Sequence, residues 1–291
     1  MDVCEALIVS PVDADGWSQL NVTVSESAGS LRGGAWSLFD GLERWLEEAQ
    51  RPEAIELWFV RKAPGLRIRV RGPGLDVAAR DRLEALLQAE QARGVVDGWG
   101  WATYEPEVAR LGGTAGLRLV HAWLSESTRV WLGWQRLSRS GGTRLGRDVM
   151  ALILQGELLL RSLGAPEEAW DVWLSLLRAY ELTTPAVPPR DVGGARGLPL
   201  AAIAGRASPA ERALLERGQA AADAFAAGLA RAHDECTLQG GRRALLGTVA
   251  SFSFNLWCLS PSAIVALCRM AVRELDPRPA PSSPRTMEPT P

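Results

Sequence analysis

The sequence predicts an α+β fold in a single compact domain, with a mixed or antiparallel sheet covered by helices and followed by a mainly helical half. Three observations support this prediction. Over the first hundred residues, segments in which polar and apolar residues alternate, as in strands, are interspersed with segments in which apolar residues have helical spacing. Two adjacent alternating segments at about 55–72 are typical of a β-hairpin. Beyond residue 106, apolar residues recur mostly with helical spacing.

The first half supplies the strands of the predicted sheet. Residues 17–24 alternate polar and apolar side chains, as a half-buried strand does. The hairpin at 55–72 contributes two strands, and residues 95–103 form a further strand that we expect to be bulged at its glycines. Between these strands, residues 36–49 and 77–93 place apolar residues on one helical face.

The second half is predicted to be helical. Ser208-Pro209-Ala210-Glu211 has the spacing of a capping box with proline in the first turn. Residues 183–199 are rich in proline and glycine and form a long loop, either disordered or a flap over a site. We assign residues 1–275 to the domain and the proline-rich residues 276–291 to a disordered tail. The predicted helices are 106–112, 115–137, 149–163, 166–181, 208–236, 243–258 and 261–275.

Composition limits the function classes. The 291 residues carry a net charge of −2, which argues against nucleic-acid binding as the main role, because phosphate contacts need a broad positive field. Two histidines accompany four scattered cysteines, so we expect no metal site. The N-terminus lacks the pattern of a signal peptide, and no apolar run approaches ~20 residues. We therefore expect a cytoplasmic protein without a membrane span.

The hairpin segment WFVRKAPGLRIRVRG, residues 58–72, is the most informative part of the sequence. After a tight Ala63-Pro64-Gly65 turn, Arg67, Arg69 and Arg71 alternate with apolar residues, so one strand face carries three guanidinium groups. The chain has 31 arginines and one lysine, so a lone arginine carries little information, whereas three on one face carry more. Like charges repel unless an anionic or electron-rich group lies over them, and we predict a binding surface here.

A second landmark follows the last predicted strand. It reads YEPEVARLGG, residues 104–113, and precedes a helix that contains Ser125-Glu126-Ser127-Thr128-Arg129. With the hairpin, the early strand and a late NLWCLSP segment at 255–261, it resembles the thiopeptide-type biosynthesis domain over about residues 15–275. That family includes the glutamate-elimination domain of lantibiotic dehydratases and stand-alone enzymes of thiopeptide pathways.

The resemblance implies an enzyme that modifies ribosomally made peptides without a cofactor. Elimination members of the family remove glutamate from glutamyl-serine or glutamyl-threonine and leave dehydroalanine or dehydrobutyrine. Arg67 and Arg69 match the family's paired arginines and Arg110 matches its third, while Leu111 stands where a tyrosine is common. The implied partners are a precursor peptide, with a leader and a dehydrated, azole-containing core, and other pathway enzymes. No nucleic-acid or membrane partner is implied.

The histidine that the family uses for elimination is missing. Ser251 and Ser253 stand where the family's histidines fall, Asn255 is kept, and Leu256 replaces an arginine. Abstraction of a proton beside a carbonyl needs a base whose pKa is near the working pH, and an unassisted serine is far too weak. The resemblance therefore implies a poor eliminase.

A sister branch of the family, the stand-alone thiopeptide pyridine synthases, fits these residues better. Its members join two dehydroalanines by a formal aza-[4+2] cycloaddition to a pyridine or dehydropiperidine ring, with macrocyclisation and loss of the leader peptide. This reaction depends mainly on holding its partners in register. We expect the catalytic residues to be Tyr104, Ser251, Ser253 and Asn255. We expect the substrate-binding residues to be Arg61, Arg67, Arg69, Arg71 and Arg110.

Structural interpretations stay open beside these functional ones. The arginines could form a solvated strand face, Tyr104 a core aromatic residue, and the serines could bond back to helix carbonyls. His121 and His233 do not fall where the family has its histidine, and we expect structural or surface roles for both. Two other functions also stay open: glutamate elimination with a relocated base, and a non-catalytic module that binds the leader peptide.

Overall fold

The computed structural model describes residues 16–25, 36–49, 54–184 and 200–278. The predicted loop at 183–199 and the predicted disordered tail at 276–291 lie almost wholly outside the described residues.

Four antiparallel strands form a sheet in the order β2-β3-β1-β4. They are β1, Ser18–Val24; β2, Glu56–Lys62; β3, Gly65–Arg71; and β4, Val96–Ala102. The α+β prediction is confirmed, with the sheet wholly antiparallel. Strands β2 and β3 are the predicted hairpin, and Ala63-Pro64 connects them.

Helices form most of the remaining described chain, which confirms the mainly helical second half. In the described ranges, no helix is both long and apolar enough to cross a bilayer. The helices are α1, Trp36–Glu47; α2, Val77–Ala92; α3, Gly113–Arg139; α4, Arg147–Leu163; α5, Pro166–Thr183; α6, Leu200–Ala204; α7, Pro209–Asp234; α8, Arg242–Leu256; and α9, Pro261–Glu274.

The helix predicted at 106–112 is a single turn instead. The amide of Leu111 donates to the carbonyl of Glu107 at 3.0 Å, and that of Gly113 donates to the carbonyl of Val108 at 2.9 Å. Gly112 and Gly113 then adopt φ angles of 81° and 77°, which a residue with a side chain rarely takes. The chain can therefore turn sharply from the YEPEVARLGG segment into α3.

The sheet has two chemically different faces, because successive side chains of a strand point to opposite sides. One face carries Arg67, Arg69 and Arg71 of β3 together with Gln19 and Asn21 of β1, and we call it the arginine face. The predicted alternation of the hairpin strand is thus confirmed.

The opposite, core face carries the apolar residues of the strands. Phe59 of β2 pairs with Ile68 of β3, and both are buried. Helix α1 covers this face through Phe39, whose ring centre lies 5.1 Å from that of Phe59. Helix α2 covers β4, where the indole of Trp101 donates to a carboxylate oxygen of Glu84 at 2.6 Å.

Helix α3 contacts residues of both faces. His121, in its first half, has ring centres of Trp17 and Trp58 within 4.6 and 5.6 Å, next to the arginine face. Trp131, further along the helix, lies 5.3 Å from the ring of Phe59 on the core face. Helix α3 therefore packs both against the hydrophobic core of the sheet and next to the arginine face.

The buried carboxylate of Glu211 fastens the start of α7. It accepts from the amide of Ser208 at 2.8 Å, while the Ser208 hydroxyl accepts from the amide of Glu211 at 3.3 Å, which confirms the predicted capping box. The same carboxylate accepts from the amides of Arg144 and Leu145, at 3.0 and 2.8 Å, in the connection between α3 and α4. The Glu211 side chain thus accepts hydrogen bonds from backbone amides of two segments that are distant in sequence.

Candidate active site

Arg69 lies on the arginine face and is only 7% exposed. Its guanidinium carbon lies 4.2 Å from the ring centre of Trp58 and 4.6 Å from that of Tyr104. Its Nε donates to Gln19 Oε1 at 3.0 Å, whereas its buried Nη1 has no hydrogen-bond partner among the described residues. Burial lowers the pKa of Arg69 to about 10, which leaves it charged at neutral pH. This residue therefore holds a charged N–H donor that is buried and has no partner among the described residues.

Tyr104 and His121 form a hydrogen-bonded pair beside Arg69. The Tyr104 hydroxyl lies 2.9 Å from His121 Nε2, and the imidazole is 1% exposed. Burial above all, and then the charges of Arg71 and Arg69, lower the pKa of His121 to about 3. At neutral pH the imidazole of His121 is therefore uncharged. Such a pair can donate a proton and take one back, but it is not a strong base.

From the sequence alone, only a structural or surface role is expected for His121. Its position beside Tyr104 follows from the sharp turn at Gly112 and Gly113, which brings α3 back past the segment that precedes it. One signal was available: His121 follows Leu117 by one helical turn, on the buried face of α3. A histidine on that face needs a hydrogen-bond partner, and a tyrosine shortly before the helix is a candidate.

The other two arginines of β3 differ in how firmly they are held. Arg71 forms an ion pair with Glu56 on the neighbouring strand, and its guanidinium carbon lies 4.9 Å from the ring centre of Trp17. Arg67 is half-buried and pairs in register with Asn21, which is exposed. Arg71 is therefore held by a charged partner on the neighbouring strand, whereas Arg67 lies beside an exposed amide side chain.

Arg61 does not join the arginines of β3. It pairs with Leu66 in the hairpin register, so its side chain lies on the core face. There its guanidinium carbon lies 5.0, 5.5 and 5.2 Å from the ring centres of Phe39, Phe59 and Trp131. Burial lowers its pKa to about 10. The expected role of Arg61 in substrate binding is corrected to packing in a cage of aromatic rings.

Two of the residues predicted on α8 make contacts within the protein. Asn255 donates from Nδ2 to the carbonyl of Arg61 at 2.9 Å and accepts at Oδ1 from the amide of Arg61 at 2.6 Å. Ser253 is 5% exposed, and its hydroxyl accepts from the indole of Trp123 at 3.1 Å. Both side chains thus make hydrogen bonds within the protein, and the catalytic roles expected for them stay predictions.

Ser251 and Arg110 lie together at an open cavity of about 420 Å³ between α5 and α8. The Ser251 hydroxyl donates to the carbonyl of Gly247 at 3.1 Å, as the structural interpretation of the helix serines allows. Arg110 forms an exposed ion pair with Glu107 at 2.8 Å. The remaining lining residues are Asp171, Val172, Ser175, Leu176, Ala179, Arg243, Ala244, Gly247 and Thr248.

Phe252 lies between this cavity and the cluster around Arg69. The guanidinium carbon of Arg110 is 5.8 Å from its ring centre, and the ring of Trp58 is 6.3 Å away. The structure thus brings Arg69, Tyr104 and His121 together, and it joins Arg110 to them through aromatic contacts. No group of three or more His, Cys, Asp or Glu side chains in the described ranges is arranged to hold a metal ion.

The sequence-family model for the lantibiotic biosynthesis dehydratase C-terminal region matches residues 23–256 of this chain. The chain belongs to this family. The match confirms the resemblance inferred from the hairpin and the YEPEVARLGG segment. No curated protein matches the chain.

Two solved structures share the fold of this dehydratase C-terminal family member. The tRNA-dependent lantibiotic dehydratase MibB from Microbispora sp. 107891 is 20% identical, with a TM-score of 0.63 over 91% of this chain and 29% of that one. The present chain thus corresponds to less than a third of MibB. The pyridine synthase TbtD from thiomuracin biosynthesis is 16% identical, with a TM-score of 0.61 over 89% of this chain and 97% of that one.

Proposed function

We propose that this protein catalyses the formal aza-[4+2] cycloaddition of two dehydroalanines in a ribosomally made precursor peptide. The product is a pyridine or dehydropiperidine ring that closes a macrocycle, with loss of the leader peptide when the ring becomes aromatic. Membership of the dehydratase C-terminal family supports a role in peptide-antibiotic biosynthesis. The near end-to-end correspondence with a pyridine synthase supports the cyclisation in particular.

The reaction moves protons over short distances and uses no oxidant. In one dehydroalanine, the amide proton moves from nitrogen to the carbonyl oxygen of the preceding residue, which gives the azadiene C(OH)=N–C=CH2. Two carbon–carbon bonds then join its ends to the CH2 and Cα carbons of the other dehydroalanine. Water leaves from the hydroxyl-bearing carbon, and the leader leaves from Cα as a carboxamide. The water and the carboxamide each need one further proton to leave as neutral molecules. These two protons come from the two ring CH2 groups, one from each.

The single observation that carries the proposal is the unpartnered Nη1 of Arg69 beside the Tyr104–His121 pair. In the proposed mechanism, this Nη1 donates to the amide oxygen that becomes the hydroxyl group and stabilises charge that develops there. The Tyr104 hydroxyl exchanges the migrating proton, and His121 holds that hydroxyl in place. Binding both dehydroalanines in register can supply roughly 7–11 kcal/mol of the barrier reduction.

The same residues suit glutamate elimination poorly. That reaction needs a base for the proton beside the carbonyl, and α8 has Ser251 and Ser253 where the family resemblance expects histidine. His121 would be a relocated base, but an imidazole with a pKa of about 3 accepts that proton much less readily than an exposed histidine would. The described site therefore favours cyclisation over elimination.

Mass spectrometry of two incubations tests the proposal. With a leader-bearing, dehydrated and azole-containing peptide, we expect the core to lose water and the leader to be released as a carboxamide. With a glutamylated peptide, we expect no change in mass. Loss of glutamate would establish elimination instead. Tight leader binding without a mass change in either peptide would favour a non-catalytic binding module.

A further inference from the structure

Arg69 is bordered by neutral residues on both neighbouring strands. It pairs in register with Trp58 of β2 and with Gln19 of β1. Arg71, two residues further along β3, pairs with Glu56 of β2 and forms an ion pair with it. The sheet thus places a carboxylate beside Arg71, whereas Arg69 makes no ion pair with any residue that the structure describes.

The positive charge of Arg69 is therefore buried without a carboxylate bonded to it. Burying a charge is costly unless the charge is paired, so proteins usually provide a partner of opposite sign. Glu107 is close enough for its charge to act on Arg69, but its carboxylate forms an ion pair with Arg110 at 2.8 Å. An unfavourable arrangement of this kind, with Nη1 also unpartnered among the described residues, indicates a functional reason.

Gln19 holds the guanidinium of Arg69 without neutralising it. The Oε1 atom of Gln19 accepts from Arg69 Nε at 3.0 Å, and the residue is only 7% exposed. Its Nε2 donates to Asn21 Oδ1 at 3.0 Å, which fixes the amide with its oxygen toward Arg69. A glutamate has the same shape and accepts the same hydrogen bond from Arg69. The property that glutamine adds at this position is therefore its lack of charge.

We propose that Gln19 is a positioning residue that orients Arg69 while leaving its positive charge uncompensated for the substrate. This inference rests on the proposed function, because the charge then acts on the amide oxygen that becomes the hydroxyl group during cyclisation. A guanidinium stabilises developing negative charge best when no carboxylate is already bonded to it. The ring of Trp58, whose centre is 4.2 Å from the guanidinium carbon, packs against the cation without adding a charge.

Gln19→Glu tests the inference, because it keeps the shape and the acceptor but adds a negative charge. We expect kcat for cyclisation of the dehydrated, leader-bearing peptide to fall about tenfold or more, with KM within about twofold of the parent value. The melting temperature should stay at or above that of the parent, because the new carboxylate pairs with a buried charge. Gln88→Glu is the matched control, since it adds the same charge at an exposed position of α2 and should leave kcat unchanged.

Gln19→Met separates the charge from the hydrogen bond. Methionine has a similar length but no strong acceptor, so Arg69 keeps its charge and loses the partner of its Nε. We expect a lower kcat with an unchanged KM, together with a lower melting temperature. If Gln19→Glu does not fold, this variant decides: a fall in kcat alone supports the positioning role, and an unchanged kcat overturns it.

The outcomes separate this inference from the proposed function. Cyclisation by the parent protein with an equal kcat in folded Gln19→Glu would overturn the inference alone, and so would a loss that appears only in KM. A fall in kcat of the same size in Gln88→Glu would also overturn it, because the effect would then not depend on contact with Arg69. A parent protein that does not cyclise the peptide would overturn the proposed function, and the inference with it.

Discussion

The side chain of Asn255 satisfies both backbone hydrogen-bonding groups of Arg61. Its Nδ2 donates to the carbonyl at 2.9 Å, and its Oδ1 accepts from the amide at 2.6 Å. Arg61 belongs to β2, the outer strand of the sheet, so the asparagine takes the place that a residue of a further strand would occupy. This contact anchors the end of α8 to the hairpin and helps to position Phe252 between Trp58 and Arg110.

Asn255→Ala should therefore lower the free energy of unfolding by about 2–3 kcal/mol, because two half-buried backbone groups lose their partner. Chemical denaturation measures the difference. Thr248→Ala is the control on the same helix, since the Thr248 hydroxyl donates to the carbonyl of Ala244 in an exposed hydrogen bond. We expect its change to stay within about 0.5 kcal/mol. Equal effects of the two substitutions would contradict the anchoring role.

The buried His121 should make stability depend on pH. Its pKa is about 3 in the folded protein and near 6.5 when exposed, so between these values only the unfolded chain binds the proton. The contribution of His121 is therefore complete above pH ~6.5 and falls by about 1.4 kcal/mol for each pH unit below it. Denaturation curves recorded from neutral to acidic pH measure this slope.

His121→Gln should reduce the slope of stability against pH, because glutamine can still meet the Tyr104 hydroxyl but does not titrate. The carboxylates contribute similarly to both proteins, so the difference between the two curves isolates the histidine. His233→Gln is the matched control, since His233 is exposed on α7. We expect the parent slope in that variant, and the same slope in His121→Gln would contradict the assignment.

Tyr104→Phe should lower the rate of cyclisation by about 10²-fold, the usual effect of losing a group that transfers protons. The fold should persist, because the ring keeps its contacts with Trp17 and Trp58 at 6.3 and 6.0 Å. Single-turnover mass spectrometry gives the rate. Tyr180, the second tyrosine of the chain, offers the control Tyr180→Phe, for which we expect at most a few-fold change. Comparable losses in both variants would argue against a specific role of Tyr104.

Arg69→Lys tests whether the guanidinium contributes geometry as well as charge. Lysine keeps the positive charge but cannot bond to Gln19 and present a second donor in a fixed plane. We expect a rate loss of about 10²-fold or more, with little change in the affinity for the leader. Arg161→Lys, in an exposed ion pair with Glu157, should leave the rate unchanged. Full activity of Arg69→Lys would rule out the proposed donor.

Ser253→Ala should affect stability rather than turnover. Its hydroxyl is the partner of the Trp123 indole, and removing it leaves a buried N–H unsatisfied, at a cost of about 1–2 kcal/mol. The rate measured on folded protein should stay close to the parent value. A large loss of rate without a loss of stability would instead support direct catalysis by this serine.

The features that could be predicted from the sequence are those set by neighbouring residues. The hairpin follows from alternation on both sides of a short turn, and the capping box at Ser208 follows from two residues at a fixed spacing. The face of Arg61 was also open to prediction, since the turn sets its pairing with Leu66. Arg61 is among the expected site residues because the hairpin is rich in arginine, although the alternation of the strand places its side chain on the other face of the sheet.

The parts that could not be predicted depend on contacts between distant segments. Tyr104 and His121 meet only because the chain turns at Gly112 and Gly113, and no local pattern gives the direction in which α3 then runs. Asn255 likewise gains its role from a strand that is far away in sequence. A buried histidine and an amide side chain each look the same in the sequence whether they bind a ligand or complete the packing.

The hydrogen bonds of Glu211 couple the local unfolding of two segments in the helical half. Its carboxylate holds the amides of Ser208, Arg144 and Leu145, so losing it frees the α3–α4 connection and the beginning of α7 in one event. Limited proteolysis of Glu211→Ala should therefore open both peptide segments to cleavage at matching rates, as parts of one cooperative unit.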